Sequence, residues 1–219
     1  MKKYDYLLNE KIHATIINPY LSFDQLKINC ELINKYKINS ISTSLNYLSF
    51  LKESKSSHIK KINTLISYPL ADTPTDFIRD FIVYAKNNGA DGIEYLPKIF
   101  LLYKNDENNF AIDIEKISNE NIPITIILNS RKMNEDILEK AIKIASELGV
   151  KNFQLGDGFS PSPNANEIYN VKKFLDDKSL IKVVGGIKKI KQAIEVFDAG
   201  ADYIGTSNFY EIFQEIINN

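Results

Sequence analysis

Short apolar segments rich in β-branched residues alternate with amphipathic helical patterns along the chain, and this repetition most constrains the fold. Three of the helical patterns stop at a glycine that lies two or three residues before the next apolar segment, at Gly89, Gly149 and Gly200. Alternating strands and helices in units of about 25 residues predict a parallel sheet, and eight units predict its closure into a barrel. The predicted strands are Ile12–Ile17, Ser40–Ser44, Ile62–Ser67, Gly92–Leu96, Pro123–Leu128, Asn152–Leu155, Leu180–Val184 and Asp202–Gly205.

The fold class predicted from this repetition is α/β, a TIM (β/α)8 barrel, with residues 1–219 in a single domain. An open doubly wound sheet is the alternative, but no G-x-G-x-x-G follows the first strand. In the helical pattern Asp76–Asn88, Pro74 is predicted at the first helical position, and Phe77, Phe81, Ile82 and Ala85 are predicted on the apolar face. The clearest helical patterns are Phe23–Tyr36, Asp76–Asn88 and Asn134–Leu148.

Composition excludes several classes of protein. The 219 residues are 44% hydrophobic and 25% charged, as in ordinary globular proteins. A net charge of −1 gives no general attraction to nucleic acid or an anionic membrane, so neither is an expected partner. Cys30 is the single cysteine, which excludes an internal disulfide and favours a cytoplasmic location. The basic Lys2-Lys3 start lacks an apolar continuation, so we expect no signal peptide, and no stretch reaches the ~18 apolar residues of a membrane span.

The last two predicted strands run into glycines and then into helices. Glycine lets a backbone approach an anion closely, and a helix N-terminus presents free N–H groups. Many TIM barrels build a phosphate site from the loops after strands 7 and 8 in this way. We therefore expect a phosphorylated small-molecule substrate; the alternative is that these glycines only end the strands. The expected phosphate-binding residues are Gly158, Gly185, Gly186, Lys188, Gly205, Ser207 and Asn208.

Lys182 lies within an otherwise apolar strand, where alternation turns its side chain into the barrel. Burial there would lower the pKa of the amine, which imine chemistry requires. Glu94 has a similar setting and is expected to act as a general acid and base or as the ion partner of Lys182. The alternative is a buried ion pair that only fills the barrel. Further polar candidates at strand ends are His13, Ser42, Ser44, Lys98, Asn129, Gln154 and Asp157.

No group of His, Cys and Asp residues has the spacing of metal ligands, so we expect neither a metal nor another cofactor. His13, near the end of the first strand, is either structural or a residue that faces the pocket. The 12 tyrosines and 12 phenylalanines leave open whether aromatic side chains cover a homodimer face or only the interface between helices and barrel.

Six short motifs follow one another along nearly the whole chain, from about Ile12 to Phe213. They are Ile12–Thr15, Ser67–Ala71, Asn88–Glu94, Gln154–Ser160, Lys182–Ile187 and Gly205–Ser207. In this order they resemble the motifs of the deoxyribose-phosphate aldolase family, class I aldolases that form an imine on a TIM barrel. The resemblance implies a lyase that acts on a phosphorylated sugar or a small aldehyde.

The chain departs from this family at its chemical centre. The resemblance implies that the lysine opening the sixth-strand motif forms the imine, but Gln154 occupies that position and its amide cannot do so. Glu94 stands where the family has an aspartate, and it reaches about 1 Å further. His13 replaces an acidic residue of the first strand, and Asn129 a glutamate of the fifth. The phosphate-side motifs are kept while the catalytic centre is changed.

Three hypotheses follow from the sequence. The first is an aldolase or related lyase that forms its imine on Lys182, with Glu94 as the proton shuttle and Gln154 as a hydrogen-bonding residue. The second is an isomerase or dehydratase of a sugar phosphate that works without an imine through Glu94, His13 and Lys182. The third is a non-catalytic relative that binds a phosphorylated ligand.

Overall fold

The computed structural model describes residues 8–218, and the first residues, where we expect no signal peptide, lie outside that range. Eight parallel strands close into a barrel in sequence order, each pairing with its neighbours and β8 pairing with β1. The predicted TIM barrel is therefore confirmed. The strands are β1 (Ile12–Ile16), β2 (Ser40–Thr43), β3 (Lys61–Ile66), β4 (Gly92–Tyr95), β5 (Ile124–Leu128), β6 (Asn152–Leu155), β7 (Leu180–Val184) and β8 (Tyr203–Thr206).

Helices surround the barrel, and their buried faces form the main core against the outside of the strands. They are α1 (Leu8–Lys11), α2 (Phe23–Lys35), α3 (Leu48–Glu53), α4 (Thr75–Asn87), α5 (Phe100–Tyr103), α6 (Glu107–Ser118), α7 (Glu135–Glu147), α8 (Ala165–Lys172), α9 (Ile190–Asp198) and α10 (Phe209–Ile217), with a 3₁₀ turn at Leu45–Tyr47. Within residues 8–218, no helix combines the length and the apolar character needed to cross a bilayer.

Three helices end as their glycines predict. At the end of α4, Gly89 has a φ of 98°, its N–H donates to the Lys86 carbonyl at 3.2 Å, and the Ala90 N–H donates to the Ala85 carbonyl at 2.9 Å. This pair of bonds is the Schellman motif, which needs a left-handed residue after the helix. The same two bonds recur around Gly149 and Gly200. Each helix therefore turns back sharply into the next strand.

Two details of α4 differ from the prediction. Pro74 is the N-cap residue, one position before the helix, and not its first helical residue. Ile82 and Ala85 are buried as predicted, but Phe77 and Phe81 are 56% and 40% exposed, because Ile78 completes the buried face in their place. Aliphatic side chains at this i, i+4, i+7 spacing pack against the barrel and turn the two phenylalanines outward.

Lys98, a predicted site candidate, belongs instead to a buried polar cluster beside the barrel. Its ammonium lies 2.7 Å from the carboxylate of Asp113, which is fully buried on α6. The same carboxylate accepts hydrogen bonds from the Tyr95 hydroxyl at 2.8 Å and the Thr75 hydroxyl at 3.0 Å. Burial and the neighbouring carboxylate strongly raise the pKa of Tyr95. The cluster ties β4 to α4 and α6, and Lys98 does not line the cavity described below.

Candidate active site

A cavity of about 110 Å³ opens at the carboxyl ends of the strands, where TIM-barrel enzymes carry their sites. It brings together most of the residues that the sequence predicts for catalysis and for phosphate binding. The predicted residues on its wall are Ser42, Glu94, Gln154, Asp157, Gly158, Lys182, Gly185, Gly186, Gly205, Ser207 and Asn208.

Lys182 and Glu94 form the centre of this cavity. The Lys182 Nζ lies 2.6 Å from Glu94 Oε1, with side chains only 5% and 2% exposed. Ser42 completes a triangle, since its hydroxyl accepts a hydrogen bond from Lys182 at 2.8 Å and donates one to Glu94 at 2.7 Å. Asn63 adds a longer bond of 3.4 Å to the same carboxylate oxygen. The predicted proximity of Lys182 and Glu94 is confirmed.

Strand geometry explains why these side chains meet. Ser42, Glu94, Gln154 and Lys182 are each the third residue of their strands, and alternation turns all four side chains into the barrel. Gln154 and Lys182 are directly paired across β6 and β7. Paired residues of neighbouring parallel strands point to the same face of the sheet, so the Gln154 side chain lies beside Lys182.

Burial lowers the pKa of Lys182 below the ordinary value of lysine, and it outweighs the opposite effects of the charge and the hydrogen bond of Glu94. A lysine with a lowered pKa gives up its proton more readily and becomes a nucleophile. Because Glu94 is already hydrogen-bonded to the ammonium, a proton acceptor is in place at 2.6 Å.

Gln154 offers a hydrogen-bonding group to the cavity. Its Nε2 makes one long bond of 3.4 Å to the Gly156 carbonyl, while its buried Oε1 bonds to no residue within 8–218. A buried amide oxygen without a partner costs free energy, which a ligand with a hydroxyl or an N–H group would recover. The position that cannot form an imine therefore retains the means to orient a ligand.

Asp157 and Asn129 organise the loop after β6. The Asp157 carboxylate accepts hydrogen bonds from the Phe159 and Ser160 amides at 3.0 and 2.8 Å, and from Asn129 Nδ2 at 2.6 Å. Lys132 lies 3.0 Å from it. Burial raises the pKa of Asp157, but the bonds from Ser160, Lys132 and Phe159 together hold it below its usual value. Asn129 is outside the cavity wall and donates a hydrogen bond to Asp157, which is on it.

Glycine occupies three positions on the wall for different structural reasons. Gly185 has a φ of 115°, and a Cβ there would meet the Ser160 backbone. At Gly205, a Cβ would lie 2.8 Å from Lys182 Cε, so this glycine makes room for the lysine chain. Gly186 has a φ of 62° and open space around it, with the nearest atom 3.9 Å away. The exposed Lys188 is not part of the wall, contrary to expectation, because its loop carries it outward after Gly186.

His13 lies at the opposite end of the barrel, so the prediction that it faces this pocket is wrong. It is the second residue of β1, pairs with the first residue of β2, and lines another cavity of about 360 Å³, whose wall also includes Lys182. Its ring centroid is 5.0 Å from that of Tyr203. A strand that begins at Ile12 places its second residue at the amino end, whereas the chemistry of a TIM barrel lies at the carboxyl end.

Stability should depend on pH through His13. Burial holds the pKa of its imidazole well below 6.5, helped by the charges of Lys182 and Lys61. Below pH 6.5 the unfolded chain takes up a proton that the native chain refuses, so the free energy of unfolding should fall with falling pH, by at most ~1.4 kcal/mol per pH unit from this group. Denaturant titrations between pH 5 and 7.5 should show a shallower pH dependence for His13→Gln. The same slope in both proteins would contradict this.

Several residues of the wall are not among the predicted site residues, and two of them, Thr15 and Tyr68, carry hydroxyl groups near the catalytic pair's cavity. The Tyr68 hydroxyl donates to the Asp157 carbonyl at 2.7 Å, and burial, followed by the charges of Asp157 and Glu94, raises its pKa to about 12. Thr15 carries a buried hydroxyl that bonds to no residue within 8–218. Both lie in motifs that the sequence resemblance includes, and that position is the only signal that marks them.

Comparisons with known proteins agree with this geometry. No family model matches the chain. The deoxyribose-phosphate aldolases of Mycoplasma capricolum and Mycoplasmoides pirum are each 26% identical to it, over 209 and 216 residues. These matches cover 94% of this chain and 94% of the first relative, and 96% of this chain and 98% of the second.

Solved structures of aldolases have the same fold. QR15, an aldolase, superposes with a TM-score of 0.89 at 21% identity and 96% coverage of both chains. The tetrameric deoxyribose phosphate aldolase of Aeropyrum pernix superposes with a TM-score of 0.84 at 16% identity, covering 96% of this chain and 91% of that one. With six motifs in the same order, the chain is similar to deoxyribose-phosphate aldolases at about 26% identity over nearly its whole length.

Proposed function

We propose that this protein is an aldolase-type lyase that cleaves or forms a carbon–carbon bond in a phosphorylated sugar or small aldehyde, through an imine on Lys182. The observation that carries the proposal is the buried Lys182 amine, with a lowered pKa, 2.6 Å from the Glu94 carboxylate. Imine formation needs an unprotonated amine and a group that moves protons beside it. Both are present at the carboxyl ends of the strands, where TIM-barrel enzymes carry their active sites.

The imine forms in two proton-balanced steps. The Lys182 ammonium passes a proton to Glu94, and the free amine attacks the carbonyl carbon of the substrate to form a C–N bond as the C=O π bond breaks. The resulting alkoxide takes a proton from the attacking nitrogen, which gives a neutral carbinolamine. Glu94 then protonates the carbinolamine hydroxyl, which leaves as water, and the nitrogen lone pair completes the C=N bond. The cationic imine withdraws electrons from the adjacent carbon.

Cleavage follows when Glu94 removes the proton of the hydroxyl two carbons away from the imine carbon. The carbon–carbon bond breaks and one aldehyde leaves. The electron pair of the broken bond stays with the fragment on Lys182, which becomes an enamine. Glu94 returns the proton to the enamine carbon, and water hydrolyses the imine to release the second aldehyde. Condensation is the reverse sequence. The hydroxyl of Ser42, bonded to both groups, holds them in register throughout.

We assign the phosphate group of the substrate to the glycine loops, by which we mean the loops after β7 and β8, including Gly185 and Gly186, together with Gly205 of β8. Substitutions of Gly186 test this assignment. Gly186→Asp places a carboxylate in the open space of this loop, and Gly186→Asn is its uncharged control of the same shape. Asp and Asn both tolerate positive φ, so backbone strain is matched. We expect at least about a tenfold weaker affinity for a sugar phosphate in the Asp variant than in the Asn variant, from charge repulsion. Calorimetric titration giving equal affinities would place the phosphate elsewhere.

A lysine introduced at Gln154 should restore the family's chemistry in part. Gln154→Lys puts a second amine beside Lys182, and two neighbouring ammonium groups lower each other's pKa. We expect faster release of acetaldehyde from 2-deoxyribose 5-phosphate than in the parent, with Gln154→Met as a control without an amine. A folded Gln154→Lys protein no faster than the Met control would show that Glu94 and Asn129 have changed the pocket as well.

The proposed function is tested by assaying both directions. The parent is expected to release an aldehyde from 2-deoxyribose 5-phosphate or to condense two small aldehydes, measured by coupled reduction of the aldehyde and by chromatography of the product. Turnover that survives in folded Lys182→Met would contradict the imine. A phosphorylated ligand that raises the melting temperature without any turnover would favour the non-catalytic binding protein.

A further inference from the structure

A second, larger cavity of about 740 Å³ adjoins the catalytic one. The two cavities share wall residues, among them Thr15, Leu65, Tyr68 and Ser207. We call the larger cavity the annex. Its volume lies within the range of small-molecule binding sites, whereas the catalytic cavity of about 110 Å³ is too small to enclose more than a short fragment.

The chemistry of the annex is different from that of the catalytic cavity. Its wall includes Pro19, Leu21 and Pro69, and the rings of Tyr20 and Phe159 stand at the wall with 90% and 73% of their surfaces exposed. Within residues 8–218, no charged side chain lines it. A phosphate or carboxylate would find no counter-charge there, while an apolar group would displace water from apolar and aromatic surface.

The junction between the two cavities carries polar groups suited to a reacting carbonyl. The buried Thr15 hydroxyl, on the walls of both, bonds to no residue within 8–218. Tyr68 also lies on both walls, and its ring stacks on that of Phe159 with centroids 5.9 Å apart and planes at 9°. A ligand with one end at Lys182 and its tail in the annex would pass between these groups.

We propose that the annex is a substrate subsite that selects aldehydes with an apolar substituent of several carbons, as the half of the substrate that carries no phosphate. This inference rests on the proposed imine at Lys182. The glycine loops take the charged half, and the annex takes the apolar half. Each methylene that enters should improve binding about fourfold, which corresponds to ~0.8 kcal/mol per buried CH₂ group.

The test is borohydride trapping of the parent protein with a series of straight-chain aldehydes from acetaldehyde to hexanal. Aldehyde and Lys182 condense with loss of water, hydride from borohydride adds to the imine carbon, and the stable secondary amine is read by intact mass. The half-saturating aldehyde concentration is expected to fall about fourfold per added carbon. Glyceraldehyde should trap more weakly than propanal, because its hydroxyl groups gain nothing in the annex.

Two variants of the annex wall and one control variant test whether the dependence on chain length arises in the annex. Ser44→Phe fills part of the annex without removing a helix-capping bond, and Phe159→Ser removes an aromatic wall. Both should flatten the chain-length series, and circular dichroism checks their folding. Tyr169→Ser removes an exposed aromatic ring that lines neither cavity and should keep the parent's series.

The outcomes separate the inference from the proposed function. Trapping on Lys182 that is equal for all chain lengths would overturn the annex inference and leave the imine standing. No Lys182 adduct with any aldehyde, acetaldehyde included, would overturn the imine and the inference that rests on it. A length-dependent series that persists in both annex variants would place the apolar substituent elsewhere and also overturn the inference.

Discussion

Lys182→Met is expected to lower turnover at least about a thousandfold, because it deletes the only amine on the catalytic wall among residues 8–218. Methionine keeps the length and apolar volume of the lysine stem, so the barrel should still close around it. The rate is measured as aldehyde release per folded molecule, with the folded fraction taken from circular dichroism. A loss of less than tenfold would mean that the reaction does not pass through Lys182.

The same substitution leaves the Glu94 carboxylate buried without its cation. Breaking a buried ion pair from one side costs about 3–5 kcal/mol, so Lys182→Met should be markedly less stable than the parent. Glu94→Gln combined with Lys182→Met removes both charges and should recover most of that stability without recovering activity. If the double variant were active, a group other than this pair would carry the chemistry.

Asp113→Ala is expected to lower the free energy of unfolding by about 3–5 kcal/mol, as much as Lys182→Met. The substitution leaves the Lys98 ammonium without its carboxylate and the Tyr95 and Thr75 hydroxyls without an acceptor. Asp76→Ala is the matched control, because the Asp76 carboxylate is exposed and lies 3.9 Å from its cation. Urea unfolding should separate the two variants clearly.

Activity distinguishes the two buried ion pairs. The Asp113 cluster lies beside the barrel and contributes no residue to the catalytic cavity, so Asp113→Ala should keep its turnover per folded molecule. Equal stabilities of Asp113→Ala and Asp76→Ala would show that the cluster does not support the fold. A folded Asp113→Ala protein without activity would show that it shapes the site.

The barrel could be predicted because the signals that end its helices are local in sequence. Gly89, Gly149 and Gly200 end their helices through bonds among neighbouring residues, and each junction occurs in the sequence as it occurs in the structure. The Lys182–Glu94 pair could also be predicted, since strand alternation alone turns both side chains inward. β6 and β7 have the predicted bounds, four strands differ from theirs by one residue at one end, and β3 and β8 are shifted by one residue at both ends.

Features that depend on distant packing could not be predicted in the same way. Lys98 lies just after a predicted strand, a position typical of site residues. Its ammonium turns away from the cavity because it pairs with the buried Asp113 on α6, which is distant in sequence. His13, by contrast, is the second residue both of the predicted first strand and of β1, so the direction of the strand alone places it at the amino end of the barrel. The outward position of Phe77 reflects competition among apolar residues of one helix for the same face.

The annex illustrates the same limit. Tyr20 and Phe159 lie far apart in sequence, and no local pattern indicates that they line one cavity. A closed barrel gathers the loops that follow its strands at one end, so residues of different loops meet only in the folded chain. Their grouping beside Lys182 is a property of the fold and not of any motif.

Mapping the trapped adduct shows whether Lys182 carries the imine. The parent protein is incubated with acetaldehyde and borohydride, digested, and sequenced by mass spectrometry. We predict a mass increase of one reduced ethyl group on the peptide that contains Lys182, absent when acetaldehyde is omitted and absent from the corresponding peptide of Lys182→Met. An adduct found only on exposed lysines, or in equal yield on parent and variant, would contradict the account.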